Sequence, residues 1–119
     1  MDPSPLRIVR LAITRADLAS LAERQFGDMV KAVVDVARGV MAIGGELHAD
    51  EEAALLDDRS RQADLWGINL YPGEKGAGWI EFDSMINVRP AQGNRARDVE
   101  DERVRDAIRR IVASLVPAA

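Results

Sequence analysis

The chain contains no cysteine and a single histidine among its 119 residues. The missing cysteine excludes disulfides, thiolate metal sites and a cysteine nucleophile, and leaves the redox compartment open, with the cytosol as the expectation. No apolar run approaches the roughly 18 residues of a membrane span, and the opening MDPSPLRIVR lacks the apolar stretch of a secretory signal. The chain therefore reads as soluble and cytoplasmic. An excess of positive charge is also missing. Sixteen basic against 20 acidic residues leave a net charge of −4, which argues against sequence-independent binding to duplex DNA.

What is present is unevenly spread. Between Gly44 and Asp64 seven acids face two arginines, whereas between Arg89 and Arg110 seven arginines face five acids. Fourteen of the 16 basic residues are arginine, a bias that a GC-rich genome produces without functional meaning. The length suits one domain over 1–119, with 1–5 and 117–119 as frayed ends.

LRIVRLAI (6–13) has the composition of a first strand. TRAD then opens a helix: Thr14 caps the first turn, Asp17 reaches back, Leu18, Leu21, Ala22 and Phe26 recur at helical spacing, and Gly27 ends it. VKAVVDV and VMAIGGELH are rich in strand formers, and Arg38-Gly39 supplies a turn between them. The stretch 50–60 reads equally as a short helix capped by Asp50 or as a strand. DLWGINLYP (64–72) and WIEFDSMINVRP (79–90) read as strands, the second with Ile80, Phe82, Ile86 and Val88 on one side. Asp101 caps a last helix striped by Val104, Ile108, Ile111, Val112 and Leu115. The expected fold is α+β: a mostly antiparallel sheet of four to five strands, with the N-terminal and C-terminal helices packed on one face. A right-handed crossover from the first strand to the second follows if those strands are parallel neighbours.

Alternation then predicts a polar sheet face carrying Glu46, His48, Asn69, Tyr71, Glu81, Asp83, Asn87 and Arg89, shallow around Ala42 and Gly44. Such a face is either a ligand site or a solvated surface with cross-strand pairs. The adjoining loop RPAQGNRAR offers Gly93 for a tight turn and Arg89, Arg95 and Arg97 as forked donors, features that suit a small anionic ligand. Alternatively these arginines pair with Asp98, Glu100 and Asp101. The ligand-binding candidates are Asn69, Asn87, Arg89, Gln92, Asn94 and Arg95.

A second reading is an acid–base or metal-assisted enzyme. On a strand, His48 would share a face with Glu46 and Asp50, so a carboxylate could raise the imidazole pKa or the three could hold manganese or magnesium. One histidine with two carboxylates is a poor zinc site, and no metal site is assigned. A third reading is a protein- or RNA-interaction module, dimerising along an edge strand. Trp66 and Trp79 read as packing residues beside turns, and Ser84 has no paired histidine in a nucleophile elbow.

Taken together, IGGELHAD, DLWGINLYP and INVRPAQGNR, followed by the Asp101-capped helix, resemble a small prokaryotic family, domain of unknown function 5674, from about Met29 to Leu115. The resemblance implies a shared fold unit and no reaction, cofactor or partner. Its signature strings fall here on Glu46, His48, Asp50, Trp66, Asn69, Asn87, Arg89, Gln92, Asn94 and Arg95. The family tends to have a Gly-Ser turn where this chain has Asp58, Arg59 and Ser60, which leans toward a hairpin for 50–60. It also tends to have proline where Glu102 stands.

Overall fold

The computed structural model describes residues 5–118, so most of the expected fraying at the ends lies outside the described residues. Five strands form one sheet: β1 (Arg7–Val9), β2 (Val30–Asp35), β3 (Val40–Ile43), β4 (Leu65–Leu70) and β5 (Ile80–Glu81). Their order is β1-β3-β2-β4-β5, and every neighbouring pair is antiparallel. There is no crossover from β1 to β2, because β3 lies between them. Among the described residues three α-helices complete the fold: α1 (Arg15–Arg24), α2 (His48–Asp57) and α3 (Glu102–Leu115).

Period two sorts β3 and β4 as the sequence predicts, and β2 follows the same rule. Val30, Ala32 and Val34 of β2, Met41 and Ile43 of β3, and Trp66, Ile68 and Leu70 of β4 all turn to one face. There they meet Leu18, Leu21 and Ala22 of α1 and Ile108, Val112 and Leu115 of α3. The capping box is formed at Thr14, whose hydroxyl accepts from the Asp17 N–H at 2.9 Å while the Asp17 carboxylate accepts from the Thr14 N–H at 3.1 Å. Phe26 does not join the apolar stripe. It is exposed beyond the end of α1, and the Lys31 ammonium lies 5.1 Å from its ring centroid. Both tryptophans pack in the core, each covered by a guanidinium: Arg15 over Trp79 at 3.7 Å and Arg89 over Trp66 at 4.2 Å.

The opposite face is not an open polar surface. Helix α2 crosses it, and Leu55 packs against Val33, Val40, Ala42 and Leu65 in a second, smaller core. The helical alternative for 50–60 is therefore the correct one. Asp50 sits within the first turn; the N-cap is Leu47, whose side chain caps nothing. The family's Gly-Ser turn has its counterpart at the other end of this helix. Here Arg59 adopts φ 77° immediately before Ser60, whose N–H closes on the Leu55 carbonyl at 2.9 Å. A side chain in the left-handed region costs about 1 kcal/mol relative to glycine. Arg59→Gly is expected to raise stability by about that amount, read from the urea midpoint; an unchanged or lower midpoint would show that Arg59 is unstrained.

The predicted long strand over 79–90 is also corrected. Pairing stops at Glu81, and the chain folds into 3₁₀ turns at Met85–Asn87 and Pro90–Gln92. The cause is the close approach of the Ser84 side chain to the backbone of β4. A Cβ at Gly67 would lie 2.5 Å from the Ser84 Cβ, so only glycine lets the 84–87 turn settle against β4. Ile80 and Phe82 reach the α1–α3 core, Ile86 joins the smaller core, and Val88 is exposed. The four residues do not share a side.

Candidate functional site

The last residue of β3 is Ile43, so the strand argument that aligned Glu46, His48 and Asp50 fails. Gly44 takes φ 84° and turns the chain out of the sheet, and α2 begins at His48. On a helix, positions two apart point to different sides, whereas positions three apart share one. The neighbour of His48 on the sheet-facing side is accordingly Glu51. Glu46 and Asp50 are exposed.

Glu51 is fully buried. Its Oε2 accepts the Gly45 N–H at 3.0 Å, while Oε1 has no hydrogen-bond partner in the protein. The side chain lies directly on the Gly45 α-carbon, where a Cβ would come within 2.7 Å of the Glu51 Cγ. Burial raises the carboxyl pKa to about 9; the Gly45 N–H and the Lys31 charge oppose that rise without overcoming it. Glu51 is therefore neutral at pH 7. Because Oε2 accepts a hydrogen bond, the carboxyl proton belongs on Oε1.

The His48 Nε2 lies 2.8 Å from the Ile68 carbonyl oxygen. A carbonyl only accepts, so Nε2 carries the proton and the neutral ring leaves Nδ1 as an acceptor. Burial moves the imidazole pKa below its ordinary value, and Lys31 pushes the same way; the Ile68 carbonyl, Asn69 and Asp83 act against them. At neutral pH the ring is uncharged.

Beneath the helix runs a transverse row of polar side chains. Lys31 of β2 stands opposite Asn69 of β4, which stands opposite Glu81 of β5. The Asn69 amide donates to the Glu81 Oε1 at 2.8 Å and to the Asp83 carbonyl at 3.2 Å, and the Tyr71 hydroxyl donates to the same Glu81 oxygen at 3.1 Å. Burial, followed by this carboxylate, raises the Tyr71 pKa. Asn69 is itself buried, and its side chain also hydrogen-bonds the His48 ring. Two neutral acid–base groups that both feel the Lys31 ammonium, one of them with an unpartnered buried oxygen, thus lie in the first turn of α2.

The other ligand-binding candidates are engaged elsewhere. Asn87 is fully buried: its Oδ1 accepts the Gly67 N–H at 2.8 Å, and its Nδ2 donates to the carbonyls of Gly67 and Arg97 at 2.9 Å each. Asn94 is buried as well; its amide reaches the carbonyls of Asn87, Ala96 and Asp98, and its Oδ1 accepts the Glu100 N–H. Arg89 stacks on Trp66 and donates to the Gln62 and Leu65 carbonyls. Gln92 bridges Arg89 and the Ala63 carbonyl. The Gly93 N–H donates to the Pro90 carbonyl at 2.9 Å.

Arg97 pairs with Asp83 at 2.7 Å, and Arg105 with Asp98 at 3.7 Å. Arg95 is exposed, with its N–H on Glu100. A groove of about 340 Å³ does adjoin the loop, but its charged walls are Asp64, Glu100 and Asp101, the wrong sign for an anion. Of the predicted set, the structure brings His48, Asn69, Tyr71, Glu81 and Asp83 together and leaves Asn87, Arg89, Gln92, Asn94 and Arg95 apart. It adds Lys31 and Glu51. Placing 50–60 on a helix would have exposed Glu51, since 48, 51 and 55 then form one inward stripe.

Among the described residues no group of three or more histidines and carboxylates is positioned to hold a metal ion. No helix among them is long and apolar enough to cross a membrane. A family model described as a protein of unknown function (DUF5674) matches residues 7–115. No curated protein and no solved structure matches the chain.

Proposed function

We propose, for a chain that belongs to the DUF5674 family and whose family description names no activity, that the start of α2 is a small-molecule site equipped for proton transfer. The observation that carries this reading is Glu51, a fully buried carboxyl with one oxygen unpartnered, on the same helix face as a neutral imidazole. Burying a polar group without a partner costs about 1–3 kcal/mol, and sites of chemistry are where such groups gather. His48 Nδ1 serves as a base, the Glu51 hydroxyl as a hydrogen-bond donor or acid, and the Asn69–Glu81–Tyr71 chain holds the floor. A protonated acid used as a donor at neutral pH is an established device for stabilising charge that develops on an oxygen.

Compared with the loop reading, this one uses groups whose hydrogen bonds are incomplete rather than groups already satisfied. Nuclear magnetic resonance with a broad fragment library tests it. Bound fragments are expected to shift the amides of Gly45, His48, Lys31 and Asn69. Fragments that collect only at Gln92 and Glu100, or none that bind, would overturn it. In the same sample the His48 ring is expected to be the Nε2–H tautomer at pH 7, titrating below an ordinary imidazole.

A further inference from the structure

On the other face of the sheet, we infer that the groove between α1 and the edge strand β1 takes a small monocarboxylate with an apolar tail, its carboxylate held between Arg7 and Arg24. The groove has a volume of about 470 Å³. Alternation along β1 puts Arg7 on the side of Val9, which packs in the α1–α3 core, and Arg7 is the cross-strand partner of Ile43. On α1, Asp17, Ser20 and Arg24 recur at helical spacing and line the same groove. Helix α2 lies across the opposite sheet face, so this site stands apart from the one at the start of that helix.

The arginines of this fold are mostly committed. Arg10, Arg38, Arg97 and Arg109 each hold a carboxylate at 2.7–2.9 Å. Arg7 and Arg24 do not. Among the described residues Arg7 forms no hydrogen bond or ion pair, and Arg24 uses only its Nε, on the Ser20 carbonyl at 3.5 Å. Two such guanidinia on the walls of one groove are the forked donors that a carboxylate matches, and the unengaged Ser20 hydroxyl is a third donor. Asp17 limits the charge. Hydrogen bonds from Thr14, with the Arg7 charge adding to them, hold its carboxyl below the usual range, so it stays ionised. Two cations against one anion suit a single negative charge, and a second would meet Asp17. The remaining wall is apolar: Leu21 and Ile43 line it, both buried in the core cluster. A hydrocarbon tail lies against them at no polar cost, whereas a second carboxylate there would lose water and gain no partner.

Four probes with the same five carbons separate the possibilities: pentanoate, glutarate, pentan-1-ol and pentylammonium, each titrated at constant ionic strength and followed at the backbone amides of Arg7, Ser20 and Ile43. Pentanoate is expected to bind saturably, with the other three about tenfold weaker or worse. Arg7→Gln and Arg24→Gln are each expected to weaken pentanoate about fivefold. Neither breaks an ion pair within the protein, so both variants keep the fold. Arg103→Gln, at a side chain 95% exposed on α3, is expected to leave binding within about twofold. Glutarate, pentan-1-ol or pentylammonium binding as tightly as pentanoate would overturn the ligand class. Equal losses in Arg103→Gln and Arg7→Gln would show diffuse attraction to a basic surface and overturn the site. The absence of any saturable pentanoate response would overturn it too.

Discussion

Between pH 6.5 and pH 9 the protein is expected to lose up to about 3 kcal/mol of stability, and Glu51→Gln is expected to abolish that loss. The folded Glu51 carboxyl titrates at about 9 against 4.5 for its ordinary value. A raised folded pKa gives a stabilising contribution that is whole below the unfolded pKa and disappears as pH climbs to the folded one. Across that window the unfolded chain has released this proton and the native chain has not. The slope is about 1.4 kcal/mol per pH unit while both conditions hold.

His48 acts in the opposite sense. Its folded pKa is lowered, so its contribution is present above the ordinary imidazole value of 6.5 and is lost as pH falls below it. Below 6.5 the two slopes oppose each other, and between 6.5 and 9 the Glu51 slope is the one that remains. Asp17 and Asp58, whose pKa values are lowered by Thr14 and by Arg38 with Arg10, bear only on more acidic conditions. Urea midpoints at constant ionic strength, measured for wild type and Glu51→Gln, check this. Parallel pH profiles for the two proteins would mean that Glu51 is ionised in the fold.

Asp35→Ala is expected to cost about 3–5 kcal/mol, because it removes one partner of a buried charge network. Asp35 is fully buried at the end of β2. Its Oδ1 accepts the N–H groups of Ala37 and Arg38 at 2.9 Å each, which fixes the turn into β3. Its Oδ2 accepts the Ser60 hydroxyl at 2.7 Å, and Ser60 in turn accepts from Arg38 at 2.7 Å. Arg38 continues to Asp58 at 2.8 Å, and Asp58 to Arg10 at 2.8 Å, so one carboxylate ties the hairpin, the end of α2 and the exit of β1 together. Asp35→Asn keeps an acceptor for the turn and should cost roughly half as much. Equilibrium unfolding gives both numbers, and hydrogen exchange at Ala37 and Arg38 locates the damage. A loss below about 1 kcal/mol for the alanine variant would show that the network is dispensable.

Much of this architecture could be read from periodicity. The Thr14 and Asp101 caps, the hairpin about Gly39, and the sides taken by the residues of β3 and β4 all follow from local pattern, and local pattern is what a sequence carries directly. The failures share one cause: they lie where tertiary contact decides. Residues 80–88 alternate like a strand, yet the Gly67–Ser84 approach draws the chain into turns after Glu81. Residues 48–57 have a helix-forming composition that a strand reading also tolerated, and only burial against Val33 and Leu65 selects the helix.

The site was half legible for the same reason. Asn69 and Glu81 lie on a true strand face, with Tyr71 one residue past β4, and could be grouped, but His48 was given carboxylate neighbours at strand spacing. Its helical neighbour Glu51 looked like one more acid in an acidic run. Asn87 and Asn94 drew notice as polar loop residues, but a sequence cannot tell an amide offered to a ligand from one folded back onto its own main chain.

Asn87 has a consequence for how copies of this chain meet. Past the two-residue β5, the outer border of β4 would present an open peptide group at Gly67, the kind of border that recruits a foreign strand. The carboxamide of Asn87 meets both the N–H and the C=O of that residue, as a neighbouring peptide unit would. One side chain thereby counterfeits a missing strand at Gly67 and leaves that peptide group no free donor for a foreign one.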